Sequence, residues 1–412
     1  MRRLGLVSRV MIMVVVALGA RGAGAMFARP EEVPVDRLIK NVGAYVKAHP
    51  KDAMGYYTLG RVNYLALSMK STTVRAYSAG SAVKLPNVAD ILQQGGKTQP
   101  DEAGLKRYLS AAVENFARAI KMEPDNALFH MGMGSVMEAA IHSNLELGAA
   151  PGQKEEKGAD VNQGWREGAI TEYLRAFELS IEKDSALQYL PILGLRQLVS
   201  HEAGQRYLAM VKERGAKEGE AEHVAAVENA LKKLAEKRPG AITPIVFAPD
   251  GANQLSELLD PTKRVRFDLD GTGRGAEWPW VKPGTAILVW DPKGTGRIES
   301  GRQLFGSVTW WIFWRDGYAA LDALDDNRDG WLSGDELKGL AVWIDRNGNG
   351  VSDAGEVMSV ESMGVTGISA RWNETEGASP MNRMGIRLRD GRVVGSWDWV
   401  ADPVSHSRSR RD

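Results

Sequence analysis

The chain of 412 residues contains no cysteine, only six histidines and no excess of either charge, 52 basic residues standing against 52 acidic ones. Without thiols there is no disulfide, no lipid on a cysteine behind a leader and no thiol nucleophile, so stability must come from packing or from metal. The histidines His49, His130, His142, His201, His223 and His406 fall at no zinc-like spacing. A Gly-x-Ser-x-Gly elbow, a phosphate loop and a dinucleotide fingerprint are all missing too. Motif absence alone excludes little, but the regions described below leave no domain-sized segment for an active site, so no enzyme is expected. At 43% hydrophobic and 25% charged residues the composition is that of globular protein.

The N-terminus has a basic stretch ending at Arg9, an apolar run from Val10 to Leu18 and a small-x-small site at Ala23-Gly-Ala25. That is the layout of a secretory signal peptide over 1–25, its apolar core being too short for the roughly 20 residues a bilayer requires. No run of 18 apolar residues follows, so after cleavage no stable membrane anchor is expected, and the product should be secreted or periplasmic. Losing Arg2, Arg3, Arg9 and Arg21 with the leader turns a formally neutral chain into one of net charge −4. Nucleic acid is therefore not an expected partner.

From 33 to 238 apolar residues recur at helical steps of three and four, as in Leu105, Tyr108, Leu109, Ala112, Val113, Phe116, Ala119 and Ile120. Ala112-x3-Phe116-x2-Ala119-x4-Pro124 has the form of the second helix of a tetratricopeptide repeat, Tyr56-x2-Leu59-Gly60 that of a first helix, and Ala169-x3-Tyr173-x2-Ala176 is a further fragment. This part resembles the tetratricopeptide family, with departures: Asn63 stands where an aromatic is usual, and insertions at 70–104 and 148–164 separate helix partners. An irregular helical bundle is the other reading. The resemblance implies an extended concave face that holds a protein or peptide partner. Residues 239–264, with Pro239, Pro244 and Pro249 around Ile245-Val-Phe247, read as a linker or docking segment.

Two twelve-residue stretches further on have the pattern a hard cation needs, with oxygens at positions 1, 3, 5, 7, 9 and 12 and a glycine at 6 for the sharp turn. In the first the ligands are Asp325, Asn327, Asp329, the main-chain carbonyl of Trp331, Ser333 and Glu336, with Gly330 at position 6. In the second they are Asp345, Asn347, Asn349, the carbonyl of Val351, Asp353 and Glu356, with Gly350 at position 6. One such match can be an Asp/Asn/Gly-rich turn; two in tandem point to two Ca2+ sites. The second has Ser352 at position 8, where an aliphatic residue is usual. It also offers two amides where the first has Asn327 and Asp329, so the first loop should bind more tightly.

Phe267-Asp-Leu-Asp-Gly, Trp280-Val-Lys-Pro-Gly284, Leu288-Val-Trp-Asp291, Leu304-Phe-Gly306 and Val342-Trp-Ile-Asp345 come in order ahead of and between these loops. Residues 265–370 thereby resemble a calcium-binding module of exported bacterial proteins, some with toxin-type repeats, in which the stretches at 268 and 291 are further acidic loops. Here Thr272 and Pro279 in one, and Lys293, Thr295 and Arg302 in the other, replace ligands, so both are expected to be structural turns. The spacing predicts one short helix, Leu337 to Ile344, between the live loops. Glycine and arginine around Asp390-Gly391 predict a β-hairpin within 371–404, and 405–412 reads as a disordered tail. The tryptophans of this half serve as core or as a stacking surface. The expected fold is thus an all-α tetratricopeptide-like repeat domain followed by a smaller α+β EF-hand-like calcium-binding domain. The expected function is an exported calcium-binding adaptor. The alternatives are a secreted enzyme or toxin-associated protein acting on a polymer, and a calcium-responsive regulator.

Overall fold

The computed structural model describes residues 33–74, 99–154, 160–181, 193–236, 240–273 and 275–403. The expected leader and tail, and Pro239, lie outside the described residues. Among the described residues no helix is long and apolar enough to cross a membrane.

The N-terminal half is helical. A two-residue strand β1 (Val33–Pro34) pairs with β2 (Thr73–Val74) and brackets α1 (Val35–Ala48) and α2 (Ala53–Met69). There follow α3 (Glu102–Met122), α4 (Ala127–His142), α5 (Val161–Ile181), α6 (Leu193–Arg214) and α7 (Ala221–Ala235), each packed on the one before it. Starts are set by side-chain caps: Asp52, Asp101 and Asn126 accept main-chain N–H groups of Met54, Gly104 and Leu128. All of α4 is buried except Ile141 and His142, which makes it the central helix of the stack.

Close approach of the helices depends on aromatic rings seated over glycines. The Phe116 ring of α3 lies over Gly60 of α2 and Gly132 of α4, where an added Cβ would come within 2.9 and 2.5 Å of it. Tyr173 of α5 meets Gly134 in the same way, and Phe177 meets Gly204 of α6. Tyr173 also donates to Glu138 at 2.6 Å, a carboxylate paired on its other oxygen with Arg206 at 3.4 Å. Phe116 and Tyr173, the aromatics of the two Ala-x3-aromatic-x2-Ala fragments, therefore both seat over glycines of the neighbouring helix.

The C-terminal half overturns the expected EF-hand-like α+β domain. It is mostly a curled antiparallel sheet of nine strands, a half-barrel. Its members are β3 (Ile245–Phe247), β6 (Ala286–Trp290), β7 (Trp331–Ser333), β8 (Leu340–Trp343), β9 (Val357–Ser359), β10 (Val365–Ser369), β11 (Glu374–Glu376), β12 (Ser379–Leu388) and β13 (Val393–Asp398). The order is β7-β10-β12-β13-β3-β6-β8-β9, with β11 on β12, while β4 (Leu259–Phe267) and β5 (Ala276–Val281) form a separate ribbon. Ile245-Val-Phe247 thus runs inside the sheet between β13 and β6. The only α-helix among the described residues of this half is α8 (Gly317–Asp322).

The helix expected over 337–344 does not form. A 3-10 turn, Gly334–Leu337, gives way to β8. Gly339 has φ 88°, outside helical backbone, and the Trp290 ring fills the space where its Cβ would stand, 2.6 Å away. Beyond it Leu340-Ala-Val-Trp343 is buried at every position, which suits a central strand and not a helix with a wet face.

Most of the tryptophans are core. Trp278, Trp280, Trp310, Trp343 and Trp397 are at most 1% exposed, whereas Trp372 is 45% exposed. Phe267, Trp280 and Trp343 form a triangle with ring centres 5.4 to 5.7 Å apart. Asp398, at the end of β13, is also fully buried; it accepts the Gly317 N–H at 2.9 Å and leaves its other oxygen unpartnered. Burial pushes its carboxyl up to about 8, and the neighbouring Asp316 charge adds to the rise.

Two expectations follow. Gly132→Ala should cost about 1–3 kcal/mol in chemical denaturation, because a methyl must displace the Phe116 ring in a packed core. Asp398 has a folded value above the unfolded carboxyl range near 4, so its contribution to stability is complete below about pH 4 and is lost as pH rises through about 8. Asp398→Asn should therefore lose less melting temperature than the wild type between about pH 5 and pH 9, measured by calorimetry.

Candidate metal centre

Four acidic loops of this half share one turn. The carboxylate at position 1 accepts the N–H of the glycine at position 6: Gly330 to Asp325 and Gly350 to Asp345, each at 2.8 Å, Gly296 to Asp291 at 2.8 Å, and Gly273 to Asp268. All four glycines have φ between 68° and 86°, in the left-handed region that a Cβ disfavours. The stretches at Asp268 and Asp291, expected to be structural turns, have it as well. In the first of them Thr272 donates its hydroxyl to Asp270 at 2.7 Å, and Arg302 donates to the Gly271 carbonyl at 2.8 Å. Burial pushes the Asp268 carboxyl up to about 6, opposed by the Ser300 hydroxyl bond and reinforced by the Asp270 charge.

The first full loop starts after α8, whose N-cap Asp316 accepts from Ala319. Asp325 is 0% exposed. One of its oxygens holds Gly330 and the other, Oδ1, is buried without a partner. Asn327 Oδ1 accepts from Asp329 N–H, and Asp329 Oδ1 from Trp331 N–H, both at 2.8 Å. Glu336, 7% exposed, reaches back over the loop to accept from Asp326 at 2.7 Å, Asn327 at 3.2 Å and Ser333 at 3.1 Å. Trp331 and Ser333 lie on β7, which pairs with β10 and not with the second loop.

The second full loop joins β8 to β9, which are hydrogen-bonded to each other from Ala341↔Ser359 to Trp343↔Val357. Asp345 is saturated by donors: Gly348 and Asn349 N–H on Oδ1, Gly350 N–H and the Trp280 indole N–H, at 2.6 Å, on Oδ2. Glu356 accepts from Arg346 at 2.8 Å and Asp353 at 3.0 Å. The amides of Asn347 and Asn349 both donate to Asp353 Oδ2, at 2.8 and 2.9 Å, and the Asn349 carbonyl accepts from Val351 N–H at 2.7 Å.

In both loops the candidate ligands are thus gathered on one turn but turned onto their own main chain. Among the described residues no group of three or more His, Cys, Asp or Glu side chains converges as a metal cluster. The loops differ in fit. The first retains a buried carboxylate oxygen with nothing to accept from, and the second has no free oxygen at position 1.

Two partnerships had no signal in the local sequence. Helix α1 grips the first loop: Arg37 donates to Asp326 at 2.9 Å and to the Leu324 carbonyl at 2.7 Å, and Asn41 donates to Asp326 at 2.8 Å and to Ala323 at 3.1 Å. Although burial opposes it, the bonds from Arg37 and Asn41 hold the Asp326 carboxyl below its usual range. The second is the Trp280 bond to Asp345, which spans 65 residues. Arg37 and Asn41 belong to no motif, and the Trp280-Val-Lys-Pro-Gly284 stretch does not by itself announce a bond to Asp345.

Residues 250–391 match a family described as the SPM domain. Part of the chain is also similar to the iron-regulated protein FrpA of Neisseria meningitidis serogroup C, 33% identical over 150 residues, or 34% of this chain. That match covers 14% of the Neisseria protein, so the similarity concerns a small part of a much longer chain.

An unpartnered buried carboxylate oxygen carries a desolvation cost that only a cation or a donor relieves. In chelator, Asp325→Asn should therefore melt at or above the wild-type temperature, against the usual sign for a buried polar substitution. A melting temperature several degrees lower would show that Asp325 is not under this strain.

Proposed function

We propose that the chain is an exported calcium-binding scaffold in which the ion secures the half-barrel against the helical half, and the helical half holds a protein or peptide partner. The carrying observation is the free, buried Asp325 Oδ1 at the head of a loop with further oxygens at Asn327, Asp329, Ser333, Glu336 and the Trp331 carbonyl. The grip of Arg37 and Asn41 on the same loop supports the linkage between halves. The second loop takes an ion more weakly, because Asp345 must first give up donors that already satisfy it. The tetratricopeptide-like reading of the helices is supported by the matching seats of Phe116 and Tyr173, and export by the leader-like N-terminus.

With affinities of about 10⁻⁴ to 10⁻³ M and calcium near 1 mM, each ion stabilises by roughly 0.4 to 1.4 kcal/mol. This is the scale of a clamp. A calcium-responsive regulator is the second reading, favoured by the same α1 contacts, through which loop 1 could be sensed by the helical half.

Isothermal titration of calcium into wild type, Glu336→Gln and Glu356→Gln, with amide hydrogen exchange on α1 and α2, tests both. The scaffold reading expects two binding events, the tighter removed by Glu336→Gln, and a rise of about 1–4 °C in melting temperature without new exposure of the helices. Large calcium-dependent changes of exchange in α1 and α2 would favour the regulator. Absence of calcium uptake by the wild type defeats both.

A further inference from the structure

A cleft of about 370 Å³ lies where α1 and α2 meet α8 and the segment after β10. That is within the size range of small-molecule pockets. Tyr45 and Trp314 line it, and Trp372 stands beside it with 45% of its surface exposed. Aromatic faces of this kind hold a flat or apolar body at low entropic cost.

Its acids are already engaged. Asp52 accepts from the Tyr45 hydroxyl at 2.7 Å and from Arg315, Asp322 accepts from Arg328 at 2.8 Å, and Asp316 accepts from Ala319 N–H at 2.8 Å and the Trp372 indole at 3.1 Å. Arg371 is the exception among the charged groups of the wall. Its guanidinium makes no hydrogen bond or ion pair among the described residues, and its stem lies across Gly330, Nε being 3.1 Å from where a Cβ would stand. The wall thus has an exposed guanidinium fork that makes no hydrogen bond among the described residues, beside aromatic surface and near enough to Asp322 to act on its charge. A guanidinium fork matches a carboxylate in two parallel bonds.

We propose that this cleft binds a carboxylate carried on an aromatic or apolar body, with Arg371 taking the carboxylate and Trp372 and Tyr45 the body. The site is formed jointly by both halves, so it exists only in the assembled chain. It does not depend on calcium being the ion of the neighbouring loop.

The probes are N-acetyl-L-tryptophan, its uncharged amide, and the tripeptide Gly-Gly-Trp with a free C-terminus, titrated into the full chain by calorimetry. Saturable binding of the acid is expected, about tenfold weaker for the amide, with about a tenfold loss in Arg371→Gln. Arg371→Lys should keep part of the affinity, and Arg383→Gln, a surface arginine paired with Glu374 away from the cleft, should change nothing. Tighter binding of the tripeptide than of the acetylated residue names a peptide terminus as the source, and the reverse a free acid. No saturable binding of either acid, equal binding of acid and amide, or wild-type affinity in folded Arg371→Gln overturns the proposal.

Discussion

Taking a carboxylate out of water is tolerable only when its oxygens find donors or a cation, and the C-terminal half does this repeatedly within one hundred residues. Asp325 and Asp345 are fully buried, Glu336 and Glu356 nearly so, and none forms a side-chain ion pair among the described residues. What holds them is mostly main-chain N–H, with the Trp280 indole added at Asp345. The glycine at position 6 supplies one donor, the residues after position 1 supply more to the closing glutamate, and the loop is wound tight by its own satisfaction. The same device persists at Asp268 and Asp291. The turn is therefore a folding element in its own right.

The two halves are joined by a comparable arrangement. Arg61 of α2 is 1% exposed; it donates to the Trp311 carbonyl at 3.2 Å and lies over the Phe313 and Tyr64 rings at 5.1 and 4.8 Å. Trp310, Trp311 and Phe313 all have positive φ, between 53° and 65°, a conformation costing about 1–2 kcal/mol for each L-residue. That strain persists because Trp310 and Phe313 are buried and Trp311 half-buried: Trp310 packs with Trp290 and Phe305, and Trp314 donates to the Thr309 carbonyl. The hydrophobic core is continuous across both halves.

What the sequence made legible was local. Helical period, capping residues and the twelve-residue acidic pattern each act within a few positions, so helices in the first half and the turns at Gly330 and Gly350 could be read directly. The fold of the second half could not. Acidic loops suggest flanking helices, yet Leu340-Ala-Val-Trp343 is a strand because β6 and β9 lie on either side of it, and those partners are about 50 residues before and 16 after. Short apolar runs such as Ile245-Val-Phe247 fit a linker or a central strand equally well until their neighbours are known. The docking of Arg37 on Asp326 spans 289 residues and has no pattern to announce it.

The strand frame also bears on what metal could do here. A helix-flanked sensor opens because its helices swing about the loop and expose a groove. The second loop is closed at its base by the β8–β9 pairing, and the first leaves through β7 into a sheet edge paired with β10. Neither has a free lever, since rotation would break main-chain hydrogen bonds that cost more than a millimolar ion returns. The entry of the first loop lies outside the sheet, where α8 is only six residues long and α1 supplies the restraint. The first loop is thus tied on one side to the helical half through Arg37 and Asn41 and on the other to the sheet through β7.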